Sequence, residues 1–256
     1  MRIAVKVGTS TLTYATGNIN IRHIEKLCKV ISDLKNAGNE IMLISSGAIG
    51  MGIGKLSLRE KPADMPTKQA AAAVGQCELM YAYDKQFSEY GHTVAQILLT
   101  GSDLRDNERS SNFRNTMDRL FEMNVLPIIN ENDTVSTEEI SVGDNDTLAA
   151  IVSADAKADI LILLTDIDGL YTADPKDDNT ATVIPKVENL TDDILSFAGG
   201  SGSMFGTGGM QTKLGAAKIC MDNGIDMVIA NGSKPDVLYD IVAKKPVGTL
   251  FVGGNK

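Results

Sequence analysis

The sequence predicts an α/β fold: a three-layer αβα sandwich around a mainly parallel, doubly wound central sheet. Three observations carry this. Short apolar runs, such as residues 41–44 and 160–164, alternate along the chain with amphipathic helical stretches. Continuous apolar runs belong to parallel strands covered on both faces. Several of these runs empty directly into small polar residues or glycine, and open α/β sheets bind ligands at that C-terminal edge of their strands.

Taken in order, residues 3–7 read as the first strand, stopping at a turn, Gly8-Thr9-Ser10-Thr11, with free N–H and hydroxyl groups. Lys6 interrupts the apolar run near its end, and either reaches solvent or faces a ligand. Asn20 caps a helix whose apolar face is Ile21, Ile24, Leu27, Cys28, Ile31 and Leu34, and Gly38 ends it. Residues 41–44 form the second strand, followed by Ser45-Ser46-Gly47-Ala48-Ile49-Gly50, again strand, turn, helix. Gly50-Met51-Gly52-Ile53-Gly54-Lys55 has a phosphate loop's richness in glycine but no strand immediately before it, so it reads as close helix packing and a turn. A long helix covers about residues 67–90. Its smooth stretch Ala70 to Ala73 with Gly75 suits either core or a subunit interface.

The third strand spans residues 93–99. A helix over 110–123 carries Phe113, Met117, Leu120 and Phe121 on one face, and the fourth strand spans 125–129. An apolar helix at 148–156 leads to the fifth strand at 160–164. A short helix at 192–197 precedes the glycine loop, and the helix that follows ends at Asn223-Gly224, a C-terminal signal. A strand at 225–230, a short helix after Asn231-Gly232-Ser233-Lys234-Pro235 and a last strand at 247–252 complete the alternation. Right-handed crossovers join such elements into one sheet.

Two stretches stand out chemically. Gly206-Thr207-Gly208-Gly209-Met210-Gln211-Thr212-Lys213 is a glycine loop feeding a helix with apolar residues at Met210, Leu214, Ala217, Cys220 and Met221. Free N–H groups and the dipole make such a helix start an anion site. Lys213 falls in the first turn, the unfavourable end for a cation, a placement that a bound phosphate would offset. Neither a Walker loop nor G-x-G-x-x-G is present. The second stretch is a cluster of short acids and amides, Asn130-Glu131-Asn132-Asp133-Thr134 and then Gly143-Asp144-Asn145-Asp146-Thr147. Asp144 or Asn145 can cap the next helix, and the segment between suits a surface hairpin. Capping does not use up the cluster, which can also hold a polar small molecule or orient lysines or a magnesium-bound phosphate. The spacing excludes an EF-hand.

Composition narrows the class. The chain has 256 residues, 43% hydrophobic and 22% charged, with a net charge of -9. That balance argues against a nucleic-acid partner. No leader peptide or long apolar span is visible, so the expected setting is the cytoplasm, away from membranes. Cys28, Cys77 and Cys220 are isolated and read as buried apolar residues. His23 and His92 lie outside every motif and read as structural, and Arg105, Arg109 and Arg114 as surface salt links.

Val5-Lys6-Val7-Gly8-Thr9-Ser10, Ser45-Ser46-Gly47-Ala48-Ile49 and the stretches 130–133, 142–146, 165–175 and 207–213, in this order, resemble the amino acid kinase family. The stretch at 165–175 includes the turn signals Asp168-Gly169 and Asp174-Pro175. The likeness runs end to end and is strongest to the branch that phosphorylates the γ-carboxylate of L-glutamate with ATP in the first step of proline synthesis. It implies a single domain over 1–256, with an acceptor-binding part at about 1–155 and a nucleotide-binding part at about 156–256, and a form without the C-terminal PUA domain that many members carry. It implies Lys6, Lys213 and Asp146 as catalytic, with Asp146 holding the lysines. Asp133 would meet the substrate ammonium beside Ser46, Gly47 and Asn145. Nucleotide contacts would come from Lys6, Gly8, Thr165, Asp166, Thr207, Gly208, Gly209, Met210, Gln211, Thr212 and Lys213. The implied cofactor is Mg2+, carried by ATP rather than held in a dedicated protein site. The implied partners are L-glutamate, ATP, proline as feedback inhibitor and further copies of the chain in a dimer or tetramer. An N-acetylglutamate, aspartate or nucleotide kinase, or a non-catalytic sensor, is the alternative. An ionised carboxylate acceptor needs no general base, consistent with motifs that contain no histidine.

Overall fold

In the computed structural model, which describes residues 1–14, 18–135, 145–196 and 209–254, every run of the first half read as a strand is a strand of one sheet. The strands are β1 (Arg2–Val7), β2 (Glu40–Ser45), β3 (Val94–Leu99), β4 (Leu126–Glu131), β5 (Ile160–Thr165), β6 (Lys186–Val187), β7 (Asp226–Asn231) and β8 (Thr249–Phe251). Their order is β3-β4-β2-β1-β5-β7-β8-β6. All pairings are parallel except β7 with β8. The central strand β1 therefore joins a half built from the first 131 residues to a half built from the rest.

The helices are α1 (Thr9–Leu12), α2 (Ile21–Asn36), α3 (Ala48–Lys55), α4 (Met65–Ser88), α5 (Gly101–Arg105), α6 (Asn107–Glu122), α7 (Asn145–Asp155), α8 (Asp192–Ser196), α9 (Met210–Asp222) and α10 (Val237–Val242). They cover both faces, giving the expected three layers. Strand alternation sorts the side chains between two cores. Ile3, Val5 and Val7 of β1 join Leu27, Leu79 and Tyr83 on the α2 and α4 face. Ala4 joins Met117, Leu148 and Leu214 on the α6, α7 and α9 face. Lys6 shares the parity of Ala4, so the strand itself directs it towards α7 and α9.

Three details differ from the sequence reading. Residues 9–12 form a one-turn helix, α1, rather than a turn: Thr13 N–H donates to Thr9 O at 3.0 Å, and Thr11 N–H and Oγ1 both donate to Gly8 O. The helix α5 and the two-residue strand β6 were not anticipated; α5 is held by a reciprocal Thr100–Asp103 capping box, and β6 by its pairing with β8. Cys77 is exposed, because its position on α4 faces away from the sheet, whereas Cys28 and Cys220 are buried as expected.

Of the smooth stretch of α4, Ala71, Ala72 and Gly75 are core, whereas Ala70 and Ala73 are exposed. A Cβ on Gly75 would sit 1.8 Å from Ala48 O, and one on Gly52 would sit 1.8 Å from Ala71 O. Helices α3 and α4 thus pack backbone to backbone, which only glycine permits. Gly75→Ala is expected to force them apart and cost about 1–3 kcal/mol. Thermal unfolding measures this, with a Tm several degrees lower.

Candidate active site

Asp146, the second residue of α7, is the hub of the charged constellation. Its Oδ1 lies 2.6 Å from Lys6 Nζ and its Oδ2 lies 3.0 Å from Lys213 Nζ. The Asp146 side chain is 2% exposed, Lys6 12% and Lys213 10%, so this is an almost dry triad. Burial alone would push the Asp146 carboxyl up, but the charges and hydrogen bonds of Lys6 and Lys213 outweigh it and hold the group below the usual carboxylate range. Thr212 Oγ1 adds a longer contact of 3.4 Å to Oδ2. The unfavourable placement of Lys213 at a helix start is thus offset by Asp146. Two ammonium groups share this carboxylate in a low-dielectric setting.

The backbone around the triad is arranged for anions as well. Helices α2, α4, α5 and α6 are capped by the side chains of Asn20, Asp64, Thr100 and Asp106. Helices α1, α3 and α9 instead begin at Gly8, Gly47 and Gly209, with no side chain on their first N–H groups. Gly47 has φ 99°, a left-handed conformation that glycine adopts without strain. A Cβ on Gly8 would lie 3.9 Å from Lys6 Nζ, so that backbone passes close to the triad. Met210, Gln211 and Thr212 open α9, and Gln211 is exposed. Thr165 and Asp166 close the C-terminal end of β5, where Thr165 Oγ1 bonds Asp166 Oδ1 at 3.1 Å. Thr207, Gly208 and the Val142 to Asp144 part of the acidic cluster lie outside the described residues.

Beside the triad lies a small cavity of about 160 Å³ lined by Thr9, Ser46, Gly47, Asn130, Asp133 and Asn145, among others. Its size admits a small metabolite and little more, well under the several hundred Å³ of drug-sized sites. Asn145 is the first residue of α7, so the cavity and the triad are adjacent along one helix start. Asn145 Nδ2 reaches Ser46 Oγ at 2.7 Å, Ser45 O at 2.9 Å and Asn130 Oδ1 at 3.0 Å. Burial, reinforced by the negative charge of Glu131, raises the Asp133 carboxyl to about 6. A wider surface groove of about 650 Å³, with the exposed Arg22, Lys26 and Lys85 on its rim, contains none of the anticipated site residues.

The anticipated triad and acceptor residues therefore come together. Arg109 and Arg114 pair with Asp103 and Asp155, as surface links. Sequence reasoning missed Thr9 as a cavity wall, and also Gln76, which supports Asn130 from α4. Its signal was an amide at the same helical spacing as Ala72, Leu79 and Tyr83.

A model of the amino acid kinase family matches residues 1–231. The chain belongs to the amino acid kinase family. Among relatives of this kinase-family chain, a glutamate 5-kinase of Clostridium perfringens is 52% identical over 255 residues, covering 98% of this chain and 95% of the relative. A glutamate 5-kinase of Clostridium tetani is 56% identical over 249 residues, covering 97% and 93%. The carbamate kinase of Giardia lamblia bound to AMP-PNP has the same amino acid kinase fold, with a TM-score of 0.71 over 99% of this chain and 98% of that one, at 15% identity. No helix among the described residues is long and apolar enough to cross a membrane.

Proposed function

We propose that this chain is an ATP-dependent glutamate 5-kinase, which transfers the γ-phosphoryl group of ATP to the γ-carboxylate of L-glutamate and so makes L-glutamyl 5-phosphate for proline synthesis. The observation that carries the proposal is the Lys6–Asp146–Lys213 triad standing beside a small cavity that holds an acid. Its relatives' names point the same way.

Phosphoryl transfer requires positioning and neutralisation of charge spread over the equatorial oxygens. Asp133, with Ser46, Gly47 and Asn145, binds glutamate and pairs its α-ammonium. That places the γ-carboxylate towards Lys6. The free N–H groups at Gly8, Gly47 and Gly209, with Thr165, Asp166 and the start of α9, receive the nucleotide. A carboxylate oxygen attacks the γ-phosphorus, the bond to the β-phosphate oxygen breaks, and ADP leaves. Lys6 meets the transferred group from the acceptor side and Lys213 from the nucleotide side. No proton is removed, because the acceptor is already ionised. The acceptor-binding part, about 1–155, and the nucleotide-binding part, about 156–256, meet at β1 in this reading.

No group of three or more metal-binding side chains occurs among the described residues, and the Asp146 oxygens face lysines. Mg2+ fits here as a companion of ATP, held by phosphates and water, where it supplies further neutralisation. The reading also makes the enzyme a cytoplasmic homo-oligomer, dimer or tetramer, inhibited by proline; sizing and inhibition assays test both.

Hydroxylamine trapping tests the acceptor. Glutamate with ATP and magnesium should give the hydroxamate, and N-acetylglutamate, aspartate and nucleoside monophosphates should give little or no product. Product from another acceptor and none from glutamate would overturn the assignment. Asp133 adds a pH signature. Its carboxyl, raised to about 6, is neutral below that pH and loses its attraction for an ammonium group. The KM for glutamate should therefore climb as pH falls through 6. A raised acid also destabilises the folded state as pH rises from its unfolded value towards 6. Asp133→Asn should thus raise the Tm at pH 7 while raising the KM for glutamate, a pairing checked by calorimetry and kinetics.

A further inference from the structure

Helix α4 lies behind the acceptor cavity, on the α2 side of the sheet, and its inward face is almost wholly apolar, with Ala72, Leu79 and Phe87 buried. Two polar groups interrupt that face, Gln76 and Tyr83, seven residues apart and so on one side of the helix. Each meets the C-terminal end of a strand. The Tyr83 hydroxyl lies 2.9 Å from Ser45 Oγ on β2. Gln76 Oε1 accepts from Asn130 Nδ2 on β4 at 2.9 Å. Ser45 shares the parity of Leu43, and Asn130 that of Ile128, so both point to the α4 side.

From Gln76 the hydrogen bonds run in one direction into the cavity. With its amide N–H committed to Gln76, Asn130 turns Oδ1 to accept from Glu131 N–H at 2.9 Å and from Asn145 Nδ2 at 3.0 Å. Asn145 Nδ2 also reaches Ser46 Oγ at 2.7 Å and Ser45 O at 2.9 Å, so its two hydrogens are shared among three acceptors, of which Ser46 Oγ is the nearest. Ser46 Oγ therefore receives a hydrogen from Asn145 and keeps its own to donate, and Ser46 lines the cavity. The network thus presents a hydroxyl donor to whatever anion enters.

Gln76 is only 7% exposed, and its Nε2 has no hydrogen-bond partner among the described residues. Leaving a buried donor unmade costs about 1–3 kcal/mol, a cost the fold tolerates at Gln76 alongside the bond its oxygen makes to Asn130. Core packing does not account for glutamine here; the bond to Asn130 does. We infer that Gln76 is a positioning residue for the acceptor carboxylate, acting through Asn130 and Asn145 on the orientation of Ser46. This inference rests on the reading of the cavity as the glutamate site.

The test is a double-mutant cycle in the hydroxamate assay. Gln76→Met keeps the volume and loses the accepting oxygen. The KM for glutamate should rise about tenfold, as expected for one hydrogen bond in a binding site, with kcat and the KM for ATP within about twofold. In an Asn145→Ala background, where the path to Ser46 is already cut, Gln76→Met should add less than twofold to the KM. An unchanged glutamate KM, a parallel rise in both KM values, or the full tenfold cost repeated in the Asn145→Ala background would overturn the inference. Gln76→Leu also removes the accepting oxygen and should raise the glutamate KM by a similar factor; a KM within about twofold of wild type there would overturn the inference even if Gln76→Met did not fold. Wild-type turnover separates the two levels. No reaction with glutamate refutes the acceptor assignment and this inference with it, whereas turnover with an indifferent Gln76→Met refutes the role of Gln76 alone.

Discussion

Lys213→Ala is expected to lower kcat by about 100-fold or more, the scale on which removing one preorganised electrostatic stabiliser acts. The side chain is buried at the start of α9 and its Nζ lies 3.0 Å from Asp146. Little of its charge is screened by water there, so its effect on a phosphoryl group passing between the two halves of the sheet should be large. The effect should fall on kcat rather than on the KM for glutamate, because the Ser46, Asp133 and Asn145 cavity is built from other elements. Steady-state kinetics at saturating glutamate checks this. The fold should survive, since Leu214, Ala216, Ala217 and Cys220 remain to seat α9 on the sheet.

Asp146→Ala should be more damaging still, because it acts on stability and chemistry together. The substitution removes the carboxylate that both buried ammonium groups meet. Removing one partner of a buried ion pair costs about 3–5 kcal/mol, which for a chain of this size lowers the Tm by on the order of 10 °C. Turnover should fall at least as far as in Lys213→Ala, because neither lysine is then held in place. The loss is pH-dependent in a definite direction. The Asp146 carboxyl is held below the ordinary range, so its contribution is complete above the unfolded carboxylate pKa and disappears as pH falls through the lower folded value. The Tm gap between the wild type and Asp146→Ala should therefore be wide at pH 7 and narrow in strong acid.

The elements with a strong period were legible in the sequence. The apolar runs that became β1, β2, β4, β5 and β7, and the amphipathic α2 and α6, rest on local patterns that packing then reinforces. The glycines were legible for the same reason: Gly52 and Gly75 signalled close helix packing, and Gly47 a turn. Two-residue β6 carries no period of its own and exists because β8 offers it an edge. The reversed direction of β8 comes from the pairing of Val228 with Leu250, which no local signal encodes. The short turn at Gly8 became a helix through hydroxyl and amide bonds from two threonines, Thr11 and Thr13.

At the site, the residue types were legible and their distances were not. Lys6 and Lys213 stand 207 positions apart, and only the parity of β1 and the placement of α7 and α9 on one face bring both to Asp146. Gln76 escaped notice because it sits in an alanine-rich helix with no motif around it. Its meaning depends on Asn130, a partner 54 residues away.

The central claim is that the Lys6 and Lys213 ammonium groups converge on the phosphoryl group in flight. A crystal structure with ADP, L-glutamate and a planar metal-fluoride mimic of that group tests it most directly. The account predicts fluorine atoms within about 3.2 Å of both Nζ atoms, with the glutamate γ-carboxylate in line on the far side. A mimic touched by one lysine while the other points away from it would contradict the account.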